Sequence, residues 1–371
     1  MCRAQAKRLP RNRDNTSILS ENAYTLELLR GSYRQCIELM RMSREAYVRL
    51  CTHFRHKLWL HDSRYVSVEE KMAMFLTIIG HNERYVVIKR RFQHSSQTIH
   101  KYFHKVLAAM MTFARKMIVT STFDPNPDSL GAHKSLRRIF KEAVGAIDRT
   151  LVHAIFSASQ QTVYRGRGKG KCHQHVLGIC DFNMIFTFVY AGWEVVAHDS
   201  RVLTEVMAES SNNFPFPPPN KYYLCDAAYT NTRGFMAPYR NVRYWLRDFR
   251  RGRAMTKEEK FNHAHAKLRN VIECAYGVLK ARFPILDKMA PYPFNVQRNE
   301  VIACFAVNNF IRKEKINDEL FAQYEEPQIV MEQGQEEEVK FATTGSHWGA
   351  EDIQFMSNMR EEIVVQLIGN I

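Results

Sequence analysis

AVGAID, residues 143–148, decides how this chain is read: an apolar run suited to a buried strand ends on a carboxylate. Two other segments repeat the puzzle. YYLCD (222–226) closes a short apolar run on Asp226, and LRNVIECAYGVLKARF (268–283) carries Glu273 inside a helical pattern. Unpaired charge is costly to bury, so carboxylates in such places are paired, neutralised or bound to a cation. Asp148 and Asp226 at strand ends, with Glu273 on a helix, are candidates to converge on Mg²⁺ or Mn²⁺, which take oxygen ligands. A cluster of that kind suits phosphodiester hydrolysis or transfer. The alternative makes Glu273 a salt-bridge partner of Arg269 and the two aspartates turn-formers.

Outward from AVGAID the pattern predicts a mixed sheet with flanking helices. A helix at 134–142 precedes the first strand, 144–148. Residues 175–180 and 185–191 are further strands, rich in β-branched and aromatic residues and joined by a turn at Asp181, Phe182 and Asn183, so the three form an antiparallel meander. A helix over 199–209 ends before the proline-rich NNFPFPPPN, and 222–225 is a fourth strand. In the helix that carries Glu273, Leu268, Ile272, Ala275 and Leu279 make the buried stripe. Arg269, Glu273 and Lys280 share a neighbouring face, and Pro284 ends the helix. Another helix covers 300–312.

Upstream the chain is helical. One helix runs from near Ser43 to Phe54. A second starts at Ser67, with Glu70 completing a capping box and Met72, Phe75, Leu76 and Ile79 facing a core. A third covers 84–92 and a fourth contains Ile99, Phe103, Val106 and Leu107. The succession is compatible with helix-turn-helix packing, the alternative being a plain helical bundle. Gln97, His100, Lys101 and Lys105 are exposed on the fourth helix, placed for phosphates or bases, though solvent satisfies them equally. STFDPNPDSLG (121–131) reads as a linker. The organisation expected is a flexible basic terminus (1–30), a helical region (31–120), the linker, an α/β domain (132–320) and an acidic, flexible tail (321–371) containing EEPQIVMEQGQEEEVK.

The 371 residues carry a formal charge of +15, which favours polyanionic partners. Charge alone leaves a basic protein with no nucleic-acid role equally open. Eight cysteines lack the spacing of a secreted disulfide scaffold, and Cys172, His173, His175 and Cys180 do not repeat a zinc motif. No uninterrupted apolar stretch is long enough to span a membrane, and no apolar run follows the basic MCRAQAKRLPRNRDN, so neither membrane insertion nor secretion is expected. KRLPRNR fits a nuclear-localisation signal or a solvated tail. Tyr164, Arg165, Arg167, Lys169 and Lys171, interleaved with glycines, fit a strand-binding loop or a solubilising one. Arg233, Arg240, Arg243, Arg247, Arg250, Arg251 and Arg253 form a second basic region with the same two readings. No Walker-type phosphate loop occurs.

GAIDRTLVHA, HQHVLGICDFNMIFTFVYAGWEVVAHDSRVL, YYLCDAAYTNTRGFMAPYR and LRNVIECAYGVLKARFPIL, in that order, resemble the nuclease domain of the plant PIF/Harbinger-type transposases and their domesticated relatives, over roughly residues 140 to 315. MSREAYVRLCTHFR and RYVSVEEKMAMFLTIIGHN resemble the helical region that precedes it. The resemblance implies a ribonuclease-H-like fold and a metal-dependent DNA endonuclease. Asp148, Asp226 and Glu273 fall at the three catalytic acidic positions, with Mg²⁺ or Mn²⁺ as cofactor. It also implies a DNA-binding helical region, a Myb-like DNA-binding partner protein, and His198 and Asp199 of AHDSR supporting the site. Asp199 as a helix cap is the plainer reading. A homo-oligomer is a further expectation, and the nucleus is the expected location, with the cytoplasm as a second. The setting of the acidic positions departs from the family pattern. Arg149 stands for a glycine and Leu151 for a histidine; Asn183, Ala227 and Thr230 also differ. Arg149 is expected to compete with metal for Asp148 if its side chain points into the site and to hold a DNA phosphate if it points outward; these departures make a catalytically weakened DNA-binding or chromatin-associated scaffold the alternative function.

Overall fold

A computed structural model describes residues 23–120, 123, 133–157, 161–164, 171–193, 199–244, 246, 249, 255–325 and 348–369. The chain divides into two compact units, Met1–Val106 and Leu107–Ile371.

The first unit is helical: α1 (Ala23–Arg30), α2 (Tyr33–Met40), α3 (Arg44–His56), α4 (Val68–His81), α5 (Tyr85–Phe92) and the opening turns of α6 (Ser96–Met117). Side-chain caps set two of the starts. The Ser43 hydroxyl accepts the Ala46 N–H at 3.1 Å and the Ser67 hydroxyl accepts the Glu70 N–H at 3.1 Å. Glu70 does not complete the expected capping box, because its Oε1 faces His94 Nε2 at 2.9 Å in the core. Met72, Phe75, Leu76 and Ile79 of α4 are buried, as are Ile99, Phe103 and Val106 of α6. A three-residue turn joins α5 to α6. Gln93 takes a left-handed conformation there (φ 56°) and the Ser95 hydroxyl accepts the Thr98 N–H at 3.1 Å. The expectation of a flexible terminus over 1–30 needs correction at its end: α1 buries Tyr24, Thr25 and Leu28, and Tyr24 packs edge-on against Phe92, with ring centroids 5.1 Å apart. Residues 1–22, with KRLPRNR, lie outside the described residues.

The second unit is built on a five-stranded sheet. After α7 (Lys134–Ile139) come β1 (Ala143–His153), α8 (Gln161–Tyr164), β2 (His173–Cys180), β3 (Phe186–Trp193), α9 (Asp199–Ala208), β4 (Tyr222–Leu224) and β5 (Phe235–Met236). Among the described residues the helices that follow are α10 (Lys257–Arg282), α11 (Phe294–Lys313), α12 (Glu319–Glu325) and α13 (Ala350–Gly369). Strand order is β3-β2-β1-β4-β5. The β1–β2 and β2–β3 pairs are antiparallel, whereas β1–β4 and β4–β5 are parallel. This is the mixed, ribonuclease-H-like sheet with flanking helices that the sequence implies. Asp181 makes the β2–β3 turn by accepting the N–H groups of Asn183 and Ile185, each at 2.9 Å. β1 does not stop at Asp148, because RTLVH continues the pairing with β2 as far as His153. Asp148 is therefore a mid-strand residue.

The two faces of the sheet differ. Ile147, Leu177, Ile179 and Phe188 pack with Val202, Leu203 and Val206 of α9. α10 lies on the other face, entered through a capping box between Thr256 and Glu259 and ended by Pro284. Its Tyr276 hydroxyl donates to the Asp148 carbonyl at 2.9 Å. Asp148 is paired with Gly178 of β2, and a Cβ on Gly178 would stand 2.4 Å from that hydroxyl. The missing side chain is what lets α10 approach.

Two boundaries differ from expectation. The division between units falls inside α6 rather than at 121–131, most of which lies outside the described residues. The end of α6 belongs with α11: Phe113 packs on Phe310 at 5.8 Å, and Asn309 and Lys313 donate to the Met117 carbonyl. The tail is also more ordered than its composition suggests. α12 is held by Arg282, which makes two bonds to Asp318 (3.0 and 2.7 Å). α13 buries Met356, Ile363 and Val364, and Arg360 donates to the carbonyls of Ala237 and Pro238 while lying 3.9 Å over the Tyr239 ring. Gly178→Ala is expected to force Tyr276 off Asp148 and lower stability by about 1–3 kcal/mol. A urea denaturation midpoint equal to that of the parent protein would contradict that account.

Candidate active site

Asp148 is 5% exposed and each part of it is occupied. Oδ2 accepts Arg269 Nη2 at 2.6 Å, Oδ1 accepts the Arg149 backbone N–H at 2.8 Å, and the carbonyl takes Tyr276. Arg269, also 5% exposed, reaches Glu273 Oε1 with its other terminal nitrogen at 2.5 Å. The i, i+4 spacing on α10 makes that second contact, while the crossing of α10 over β1 makes the first. Asp226 follows β4, the parallel neighbour of β1, and turns the chain by accepting the Ala228 N–H at 2.8 Å.

The three carboxylates influence one another. Burial pushes Asp148 up, Arg269 pulls the other way, and Asp226 and Glu273 add to the rise, leaving it at about 7. Burial alone would lower the Arg269 guanidinium, but Asp148, Tyr244, Glu273 and Asp226 outweigh it and hold it well above the usual arginine range. Buried Tyr229 is raised by burial and then by Asp226 and Asp148, and its hydroxyl has no hydrogen-bond partner among the described residues. His265, one turn before Arg269, is pushed down to about 3 by burial. It is neutral, joining the Met236 carbonyl at 2.9 Å to the Tyr244 hydroxyl at 3.3 Å. Sequence reading did not single out Tyr276, His265, Tyr229 or Tyr244. The spacing 265, 269, 273, 276 on one helical face was the available signal for the first two; Tyr229 and Tyr244 sit in irregular segments that carry none.

The structure brings Asp148, Arg269 and Glu273 into direct contact, with Asp226 acting on them electrostatically. Arg149 is half-buried, and strand alternation directs its side chain to the face opposite Asp148. The guanidinium on Asp148 is that of Arg269, so the competition expected of Arg149 is made by a residue far along the chain. Asp199 is the first residue of α9, and His198 lies outside the described residues. Arg165, Arg167 and Lys169 also lie outside them, and Lys171 is exposed. Of the second basic region, Arg233 pairs with Asp352, Arg240 donates to the Tyr229 carbonyl and Arg243 meets Glu259. Arg247, Arg250, Arg251 and Arg253 lie outside the described residues. In the first unit Gln97, His100, Lys101 and Lys105 are exposed along one side of α6. Cys172 and Cys180 are buried free thiols. No described helix is long and apolar enough to cross a membrane.

Residues 147–309 match the family described as DDE superfamily endonuclease, so the chain carries a DDE-superfamily endonuclease domain. Residues 16–112 match a domain of unknown function, DUF8040. No curated protein and no solved structure matches the chain.

DDE-superfamily endonucleases generally use divalent metal ions, and hard carboxylate oxygens are the donors such ions take. The arrangement described does not fit one. Oδ2 of Asp148 and Oε1 of Glu273 already serve Arg269, and among the described residues no group of three or more His, Cys, Asp or Glu side chains is set to hold a metal ion. The cation within the cluster is a guanidinium.

Asp148 titrates at about 7 in the fold against 3.8 when unfolded, so its contribution to stability is fully present below pH 4 and is lost as pH rises through 7. Asp148→Asn is therefore expected to flatten the decline between about pH 4 and 7 in a chelator-containing denaturation series. Parallel profiles for the two proteins would contradict it.

Proposed function

We propose that this chain is a PIF/Harbinger-type, transposase-derived DNA endonuclease that hydrolyses or transfers phosphodiester bonds at Asp148, Asp226 and Glu273. The observation that carries the reading is the gathering of carboxylates from β1, the end of β4 and α10 into one electrostatic cluster inside a DDE-superfamily domain. Mg²⁺ or Mn²⁺ is the cofactor this reading carries, and it would need Asp148 and Glu273 freed from Arg269, which pairs with both. The nucleus is the proposed location, and a Myb-like DNA-binding protein and a second copy of the chain are proposed partners.

DNA contact is assigned to α6. The short α5, the three-residue turn and the exposed side with Gln97, His100, Lys101 and Lys105 support a helix-turn-helix reading of the first unit. The net charge of +15 supports it independently.

The second reading is a DNA-binding scaffold whose nuclease site is weakened or silent. The Arg269 bridge between Asp148 and Glu273 favours it, since the bridge neutralises the carboxylates that catalysis needs.

Supercoiled plasmid nicking in Mg²⁺ or Mn²⁺ separates the two. Nicking that disappears in Asp148→Asn is the expected result. DNA binding with no nicking under either ion would leave the scaffold reading. For the helical unit, Lys101→Gln and Lys105→Gln are each expected to reduce the slope of log affinity against log salt by about 0.9. Unchanged slopes in both variants would remove α6 from the DNA interface.

A further inference from the structure

We propose that the end of the β1–β2 strand pair is a phosphate-binding site, at which His153, His173, Lys171 and Lys280 hold one phosphate group. The site is separate from the carboxylate cluster and does not rest on the nuclease reading.

Convergence is the first support. The strand register sets His153 directly across from His173, with ring centroids 5.9 Å apart. Lys171 stands exposed just before β2, and α10 brings in Lys280, whose charge acts on His173. Three segments distant in sequence thus deliver two imidazoles and two ammonium groups to one place. Phosphate oxygens accept from several directions at once, and lysine ammonium groups meet them as point charges.

Missing partners are the second. Lys280 is half-buried, and its ammonium makes no hydrogen bond or ion pair among the described residues. The acid that acts on it, and on His153, is Asp287, exposed beyond the end of α10. Nδ1 of His153 is sealed in the interior without a partner among the described residues, so an outward hydrogen bond from this imidazole is made through Nε2.

Electrostatics is the third. Burial lowers His153, His173 and Lys171 lower it further, and Asp287 opposes them. Burial likewise lowers His173, with Lys171 and Lys280 adding to the fall and the Lys171 backbone opposing it. Lys280 is lowered by burial, against Asp287. Each cation is disfavoured by its setting, and an anion relieves that excess of positive potential. Phosphate also favours the charged imidazoles, so its binding draws in protons.

Position defines the role. Five residues of strand separate His153 from Asp148, roughly 16 Å at about 3.3 Å per residue, so one phosphate cannot touch both. A duplex advances about 3.4 Å per base pair, which puts a backbone phosphate held here roughly five base pairs from the carboxylates.

The test uses the full chain with two probes, a fluorescent DNA duplex and inorganic phosphate, and reads binding alone. Lys280→Met is expected to lower the slope of log duplex affinity against log salt by about 0.9. The parent protein is expected to bind the duplex more tightly at pH 6 than at pH 8, and His153→Gln combined with His173→Gln to shrink that gain by roughly threefold. Inorganic phosphate, compared with chloride at equal ionic strength, is expected to raise the thermal midpoint of the parent more than that of either variant. A duplex effect assigns the site to a nucleic-acid backbone, and a phosphate effect alone assigns it to a free phosphate. A pH gain and a phosphate response both unaltered in the histidine variant overturn the site, even where Lys280→Met lowers the slope, since a diffuse positive surface would do that much. Should Lys280→Met fail to fold, Lys171→Gln, at an exposed position, takes its place with the same expected loss of slope. Nicking plays no part in the readout, so failure of the nuclease reading leaves the result unchanged.

Discussion

Arg269 between Asp148 and Glu273 is the contact on which the second unit depends. A carboxylate in the middle of β1 cannot be left bare in a low-dielectric interior, and breaking such a pair by removing one partner costs about 3–5 kcal/mol. The partner comes from α10, so α10 must cross β1 at this point and at this height. Gly178 clears the surface for that crossing and Tyr276 fixes it through the backbone. Packing and electrostatics here impose the same geometry.

α10 then organises much of its surroundings. Over 26 residues it presents His265, Arg269, Glu273 and Tyr276 along one side, while Arg282 near its end holds Asp318 and so places α12. His265 ties it to the carbonyl of Met236, which belongs to the edge strand β5. The sheet supplies two aspartates from neighbouring parallel strands, and the helix supplies the groups that face them.

Much of this was legible in the sequence. The three acidic positions stand out because strand and helix periodicities are strong around them, and the antiparallel meander follows from β-branched runs separated by Asp181 and Asn183. The strongest helices of the first unit announced themselves through Ser43 and Ser67. What escaped was set by contacts distant in sequence. β5 has two residues and no period to detect. β1 runs on through Arg149 and Thr150 because β2 pairs with it, although local composition suggests a stop. Arg149 attracts attention as the immediate neighbour of Asp148, yet adjacent residues on a strand face opposite ways and the cation that reaches Asp148 is 121 positions on. α1 and α13 were hidden by the charged segments beside them, which lower the apparent order of any window that includes both.

α13 has a consequence for the behaviour of the molecule in a crowded solution. β5 is the last strand of the sheet, and an edge strand offers free backbone groups to any other strand that approaches. Arg360 occupies the carbonyls of Ala237 and Pro238 just beyond β5, and Asp352 draws in Arg233 just before it. The far end of the chain thus closes a surface on which self-association by strand addition would otherwise begin.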